Sequence, residues 1–412
     1  MGSRIRENPE NVFEVFVEIA RPTAPDQEPF VLQKYPADYD DKETLKELPK
    51  FAFPCDQEMN AVDHFTFVLT DVESMFKFGF CRHAAGAQTC LCIISCLPWY
   101  GVFYKFLNYL AERLNRNDNN DITCVLSDLY KLDNPNPGEE VEIILPDFKE
   151  KFSFYVPDTK LLPSIPESRN LTEYYNAVDT GNMMLIFASM LHERRILITS
   201  KKLSRLTACV HASAELLYPM HWQHLYIPVL PAHLIDYCSA PMPYIIGIHS
   251  TLLEKAKMLE LGDAVILDAD ENTVHTEHND LENMPQEIVA ELKKKLRSHQ
   301  SEKTKSNLMG DGVARAFLRA LARLIGSYRE GLKKREGEAF VFDKEQFVAS
   351  RPASMESFME TMVHLQIFSE FVDERIKMLR HSHQDEFEME VQRVADKPLP
   401  CILQFPNENE ES

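Results

Sequence analysis

The sequence predicts two folded parts of different make: an α+β part on an antiparallel sheet, then an α/β part on a mainly parallel sheet, with a helical region after them. Three observations carry this. In the first hundred residues apolar side chains alternate with polar or charged ones, as in half-buried antiparallel strands. From about residue 195, short β-rich runs alternate with helical stripes, the mark of a parallel sheet covered on both faces. In the last third, apolar residues recur at four-residue spacing.

Taken in order, Val15, Val17 and Ile19 mark one strand, and Phe65, Phe67 and Leu69 a second. Phe76, Phe78 and Phe80 mark a third after a turn at Asp71–Ser74, and Cys90–Cys96 closes the set before Pro98. The polar, Pro-punctuated stretch 35–50 reads as a loop. Val102, Phe103, Phe106, Leu107, Leu110 and Leu114 form a helical stripe, which makes helices on one face of the sheet. Three prolines in 156–171 mark a linker between lobes. Strands follow at Ile196–Thr199, Leu225–Leu230, Tyr244–Ile248 and Ala264–Leu267, with a helix on Leu203, Leu206, Val210, Ala214 and Leu217 after the first. Helices are then expected at Met284–Leu296, Val313–Leu332 and Phe358–Leu379, with a mobile polar stretch at His299–Met309. The resulting segments are 10–155, 156–171, 172–280, 281–380 and an acidic disordered tail at 381–412.

A net charge of −20 argues against a coat for nucleic acid, whose affinity comes from neutralising phosphate. Apolar runs fall far short of the roughly 20 residues a bilayer span needs. Arg4 and Arg6 lack the apolar stretch of a secretory signal after them. Nine irregularly spaced cysteines suit a reducing compartment.

The usual chemistries leave little trace. A nucleotide-binding sheet carries a glycine-rich turn after its first strand, and here the turn reads Thr199-Ser200-Lys201-Lys202-Leu203. Gly310 and Gly312 have no third glycine and no strand before them. Cys81, His83, Cys90 and Cys92 invite a zinc reading, but Cys90 and Cys92 share one face of an apolar strand, the usual place of buried thiols. Asp268, Asp270 and Asn272 start like a calcium loop, yet Thr273 and Asn279 stand where it needs Gly and Glu. His221 and His224 lack a metalloprotease context, and no GxSxG elbow occurs. Neither a metal nor a cofactor is expected, and the pattern points to a binding or regulatory module.

Several long motifs in register then carry a resemblance. Leu162-Pro-Ser-Ile-Pro-Glu-Ser-Arg-Asn-Leu-Thr-Glu173, Glu193-Arg-Arg-Ile-Leu197, Leu217-Tyr-Pro-Met-His-Trp-Gln-His224, Tyr226-Ile-Pro-Val-Leu-Pro231 and Asp236-Tyr-Cys-Ser-Ala-Pro-Met-Pro-Tyr244 resemble DENN-domain proteins, in particular the connecdenn subfamily. Phe65-Thr-Phe-Val-Leu-Thr-Asp71 upstream and Gly310-Asp-Gly-Val-Ala-Arg-Ala-Phe-Leu318 downstream extend the match over about residues 10–380. The resemblance implies a two-lobed DENN module: an N-terminal longin-like lobe, a C-terminal α/β lobe and a helical downstream part. It implies guanine-nucleotide exchange on a Rab-family small GTPase, Rab thirty-five in the relatives this chain looks like, in clathrin-linked endocytosis and endosomal recycling. It also implies a cytoplasmic protein recruited peripherally to clathrin-coated vesicles and early endosomes, with phosphoinositide contact. Connecdenns usually carry clathrin and adaptor motifs in a long tail, and 381–412 holds no clathrin-box pattern. Arg205 and Glu215 put charge where relatives are more often small or neutral.

Exchange needs no acid, base or metal. A factor that binds the empty GTPase more tightly than the loaded one weakens nucleotide affinity by the same ratio. The alternatives are a DENN fold that only holds a loaded GTPase and, as a third, a metabolic α/β enzyme. For the GTPase-facing surface the candidates are Met220 and Trp222, with Pro219 between strand and helix and Pro241 and Met242 on the neighbouring crossover, since aromatic and Met side chains concentrate interface energy. For an anionic lipid they are Lys201, Lys202 and Arg205, behind Ser200 as a helix cap. Phe387, Leu403 and Phe405 offer a short linear motif in the tail.

Overall fold

A computed structural model describes residues 4–395, apart from 7, 22–26, 57–59, 87, 117–118, 134, 145–150, 302–309, 335–339 and 380–383. The polar stretch expected to be mobile falls largely in 302–309, outside the described residues, as do 396–412 of the predicted tail.

Strands β1 (Val15–Ala20), β2 (Phe30–Tyr35), β3 (Asp63–Thr70), β4 (Phe76–His83) and β5 (Thr89–Ser95) form the N-terminal sheet, in the order β2-β1-β5-β4-β3. Every pairing is antiparallel, as the period-two pattern requires. Helix α1 (Lys42–Ala52) follows β2, and α2 (Tyr100–Asn115) and α3 (Asn119–Tyr130) follow β5, with a hairpin of β6 (Glu140–Ile144) and β7 (Lys151–Tyr155) after them. On β4, Phe80 stacks on Phe103 of α2 at 4.6 Å, while His83 donates from Nε2 to the Ala52 carbonyl at the end of α1 (2.8 Å). The sheet is therefore covered on both faces, not one.

Helix α1 is a correction to the loop expected at 35–50. Asp41 caps it by accepting from the Thr44 amide (3.0 Å), and Thr44, Leu48, Phe51 and Ala52 make a narrow buried stripe that its polar neighbours mask. Gly79 is required where it stands: a Cβ there would lie 2.1 Å from the Phe67 ring on the paired strand.

Beyond the linker come α4 (Arg169–Ala177), α5 (Thr180–Leu191), β8 (Arg195–Ser200), α6 (Leu203–Glu215), β9 (Leu225–Ile227) and a 3-10 segment, Ala232–Ser239. Next are β10 (Tyr244–His249), α7 (Leu253–Lys257), β11 (Val265–Asp268), β12 (Thr273–His275) and α8 (Asp280–Asn283). The sheet order is β12-β11-β8-β10-β9; four strands run parallel and β12 closes one edge antiparallel. All four strands expected here form.

The two lobes meet where α6 packs on the edge strand β3. His211 of α6 is fully buried; its Nε2 donates to the Thr66 carbonyl (3.0 Å), and its Nδ1 accepts from the hydroxyls of Tyr100 (3.1 Å) and Tyr226 (2.9 Å). Phe76 stacks on Tyr226 at 5.5 Å, and Arg169 covers the Tyr104 ring at 4.8 Å.

The helical part holds α9 (Gln286–Ser301), α10 (Gly312–Ile325), a small hairpin of β13 (Leu332–Lys334) and β14 (Phe340–Phe342), α11 (Lys344–Ala349), α12 (Ala353–Met362), α13 (Gln366–Met378) and α14 (Glu386–Val394). Two expected helices are shorter than their stripes suggest. The stripe of 358–379 is broken into α12 and α13, and Glu193, from the turn before β8, accepts from the Ile367 amide (2.8 Å) at the start of α13. The stripe from Val313 ends at Gly326, where a Cβ would lie 2.8 Å from Val391 of α14.

Helix α14 is the larger correction, because 381–412 reads as a solvating tail. Phe387 is fully buried and Val391 nearly so, one turn apart against α10. The acids of this segment that lie in described residues are partnered. Glu390 meets Arg319 (3.2 Å) and Arg315 (3.5 Å), Glu388 meets Arg329 (3.1 Å) and accepts from the Tyr328 hydroxyl (2.8 Å), and Asp385 meets Arg375 (2.7 Å).

Candidate functional site

The segment after α6 does not emerge as a surface loop. Met220 is fully buried, Trp222 is 2% exposed and Pro219 is buried. The Met220 amide donates to the Leu217 carbonyl (2.9 Å), and the Trp222 indole N–H donates to the Leu225 carbonyl (3.1 Å). His221, between them, lies 3.9 Å from Glu374 of α13, so the downstream helices roof this stretch. Met220, Trp222 and Pro219 therefore offer no surface to a partner, a correction to their expected role. Nothing local in the sequence announces a roof supplied 150 residues later.

Pro241 and Met242 are exposed, Met242 by 54%, and Tyr237 joins them at 46%. Tyr237 lies in the 3-10 segment and Pro241 and Met242 just beyond it; the segment starts against the other lobe. The Ala232 amide donates to the Pro54 carbonyl (2.8 Å), and His233 lies 3.7 Å from Glu47 of α1. The segment thus runs from the lobe boundary across the α/β lobe and exposes Tyr237, Pro241 and Met242 among polar neighbours. At its far end Pro241 and Pro243 border an open cleft of about 310 Å³, with Glu193, Arg195, Asp263 and His278. Arg195 pairs with Asp263 (2.6 Å), and that hydrogen bond holds the Asp263 carboxyl below the usual carboxylate range. His278 also meets Asp263 (3.2 Å), and Arg194 clamps the buried Asp280 with two nitrogens (3.1 and 2.8 Å). Arg194 and Arg195 are thus both ion-paired within the chain. Tyr237, Asp263 and His278 escaped the sequence reading, although Tyr237 stands inside a quoted motif as an aromatic among small and polar residues.

The lysine-rich turn after β8 differs from its expected form in one respect. Helix α6 begins at Leu203, and Lys201 and Lys202 are exposed. Ser200 accepts from the Lys202 amide (3.2 Å), but its hydroxyl donates to Asp270 (3.0 Å). The Asp270 carboxylate also accepts from the Lys201 amide (2.6 Å) and meets Arg205 (2.8 Å), which in turn meets Glu173 (3.0 Å). Arg205 is therefore committed within the chain, and Lys201 and Lys202 of the expected anion-binding patch are exposed. Asp270 follows β11, at the carboxyl ends of parallel strands, where sheets of this kind bind ligands. The neighbouring carboxylate of Asp268 accepts from the Asp270 and Glu271 amides, a turn and not a calcium loop.

Cys81, Cys90 and Cys92 are fully buried, on paired positions of β4 and β5. No described helix is long and apolar enough to cross a membrane.

Comparison with known proteins adds three family matches in chain order: a uDENN domain over residues 29–84, a DENN (AEX-3) domain over 86–272 and a dDENN domain over 342–390. The central match begins inside the N-terminal lobe, so the family's sequence segments do not coincide with the structural lobes. The chain is 50% identical to mouse DENN domain-containing protein 1B over 397 residues and 48% identical to human DENN domain-containing protein 1A over 400. Each alignment covers 95% of this chain, but 50% and 39% of the relative, so the chain spans half or less of their length. Human DENN domain-containing protein 2B is more distant, 28% identical over 362 residues.

Proposed function

The chain belongs to the DENN family, with its high identities in the connecdenn branch, and from that premise we propose that it promotes GDP release from a Rab-family small GTPase. It does so by protein contact, with no covalent or acid–base step. The exchanger binds the nucleotide-free GTPase better than the loaded one, and that difference is the whole source of its action. The observation that carries the reading is the exposure of Tyr237, Pro241 and Met242 on a segment that starts at the lobe boundary and ends at a charged cleft. An aromatic and a Met beside a polar rim is the composition of a protein-binding centre. The setting that goes with it is clathrin-linked endocytosis and endosomal recycling.

The test is release of a fluorescent GDP analogue from purified Rabs by catalytic amounts of the chain. Acceleration on one Rab, reduced about tenfold by Tyr237→Ala with Met242→Ala, supports the reading and its surface. Binding of a GTP-loaded Rab without accelerated release leaves a scaffold or effector instead. A membrane contact is proposed for Lys201 and Lys202 alone. Replacing both with Glu is expected to abolish flotation with phosphoinositide vesicles, and unchanged flotation removes that contact.

A further inference from the structure

We propose that His211 is a positioning residue: its imidazole fixes the angle between the two lobes, and with it the shape of the surface that a GTPase meets. The second half of this statement rests on the exchange reading above; the first does not.

Strand β3 is an edge of the N-terminal sheet, paired only with β4. An edge strand has unpaired amides and carbonyls on its outer side, which another chain normally fills. At Thr66 two side chains of α6 fill them. The Thr66 amide donates to the Thr207 hydroxyl (3.4 Å), and its carbonyl accepts from His211 Nε2 (3.0 Å). Thr207 and His211 are four residues apart, one turn on the same face of the helix. Two bonds from one strand residue to two points along a helix fix both the slide and the tilt of α6 against the sheet. The other imidazole nitrogen accepts from Tyr100 of the first lobe and Tyr226 of the second, so one ring ties three elements together across the boundary. Burial holds the pKa of His211 down to about 4, so the ring keeps one donor and one acceptor throughout the physiological range. A partner that must be bent from one shape to another is bent best by a template that does not yield.

The test uses the full chain, with spin labels introduced through non-cysteine chemistry at the exposed positions Val72 and Met258, one on each lobe. Double electron–electron resonance then reads the inter-lobe distance. The parent is expected to give one narrow distribution. His211→Phe keeps a ring and removes all three bonds, and its distribution is expected to broaden or shift while circular dichroism stays that of the parent. Tyr226→Phe removes one bond, changes the distribution in the same direction by less, and decides the matter if His211→Phe does not fold. In exchange assays kcat is expected to fall about tenfold for His211→Phe with KM within about twofold. Distributions that coincide with the parent's in both variants overturn the proposal. Broadened distributions with undiminished exchange also overturn the positioning role. If the parent accelerates no Rab, the exchange reading fails separately, and the distance measurement still decides whether His211 sets the angle.

Discussion

The seam between the lobes and the seat of α14 both bury polar groups, and they satisfy them differently. Around His211 at the seam the bonds are between neutral partners, an imidazole, two tyrosines, two threonines and a backbone carbonyl, set among stacked aromatic rings. At α14 they are between ions: Asp385, Glu386, Glu388 and Glu390 face Arg315, Arg319, Arg329 and Arg375 around the buried Phe387. Neutral networks feel salt little, whereas the half-exposed arginines Arg315, Arg319 and Arg329 leave their pairs partly open to screening. One contact is built to hold whatever the salt and the other holds according to it.

The largest effect should come from removing one side of the comparison. A chain cut after Arg380 loses Phe387 and Val391 and leaves Arg375 buried without its carboxylates, so its downstream helices are expected to lose cooperative thermal unfolding. Phe387→Ala alone should cost about 3–5 kcal/mol. A truncated chain that melts like the parent would return the segment to the status of a tail. Next comes Arg375→Leu, which leaves the half-buried Asp385 without its cation while Glu388 keeps Arg329, and should cost about 1.5–3 kcal/mol in chemical denaturation. The equivalent loss at the seam, Tyr226→Phe, should cost about 1 kcal/mol, because one neutral bond is removed.

Salt sharpens the contrast further. Raising NaCl from 0.1 to 1 M is expected to lower hydrogen-exchange protection in α14 and leave that of α6 unchanged. Equal loss in both would mean the seam is also ionic.

The smallest effect is the most specific to the seam. Glu215 ends α6, and burial raises its carboxyl pKa to about 7, while burial lowers that of His211 to about 4. Both groups favour their neutral forms, with opposite signs in pH. The stability from Glu215 is full below about 4.5 and is lost as pH rises through 7; that from His211 is full above about 6.5 and is lost as pH falls through 4. Thermal stability of the seam should thus be flat between about 4.5 and 6.5 and decline on either side. Glu215→Gln is expected to raise stability at pH 8.5 by on the order of 1 kcal/mol and to change little at pH 5. An equal gain at both pH values would assign the effect to packing.

How far the fold was legible follows the range of the forces involved. Strands β8, β10 and β11 announce themselves through continuous apolar runs, and α2 through its stripe, because burial pattern is local. Helix α14 did not, since Glu386, Glu388 and Glu390 pair with arginines about 60 to 75 residues away. Its one local sign was Phe387 and Val391 one turn apart. The same limit applies to the site. Pro241 and Met242 sit on a short crossover that stays exposed, whereas Met220 and Trp222 have the right composition for an interface and are roofed by α13. Composition nominates interface residues, and only tertiary cover decides among them.

Asp270 carries a consequence of its own. Its carboxylate acts as a tethered counter-ion at the sheet's mouth, neutralising Arg205 and occupying the Lys201 amide that a dissolved phosphate would otherwise seek. A tethered group competes at an effective concentration set by the chain, in the millimolar range or above, and does not dilute. The phosphate of a free nucleotide would have to displace that carboxylate to reach this turn, so an exchanger of the kind proposed above would not be titrated by the nucleotide it releases.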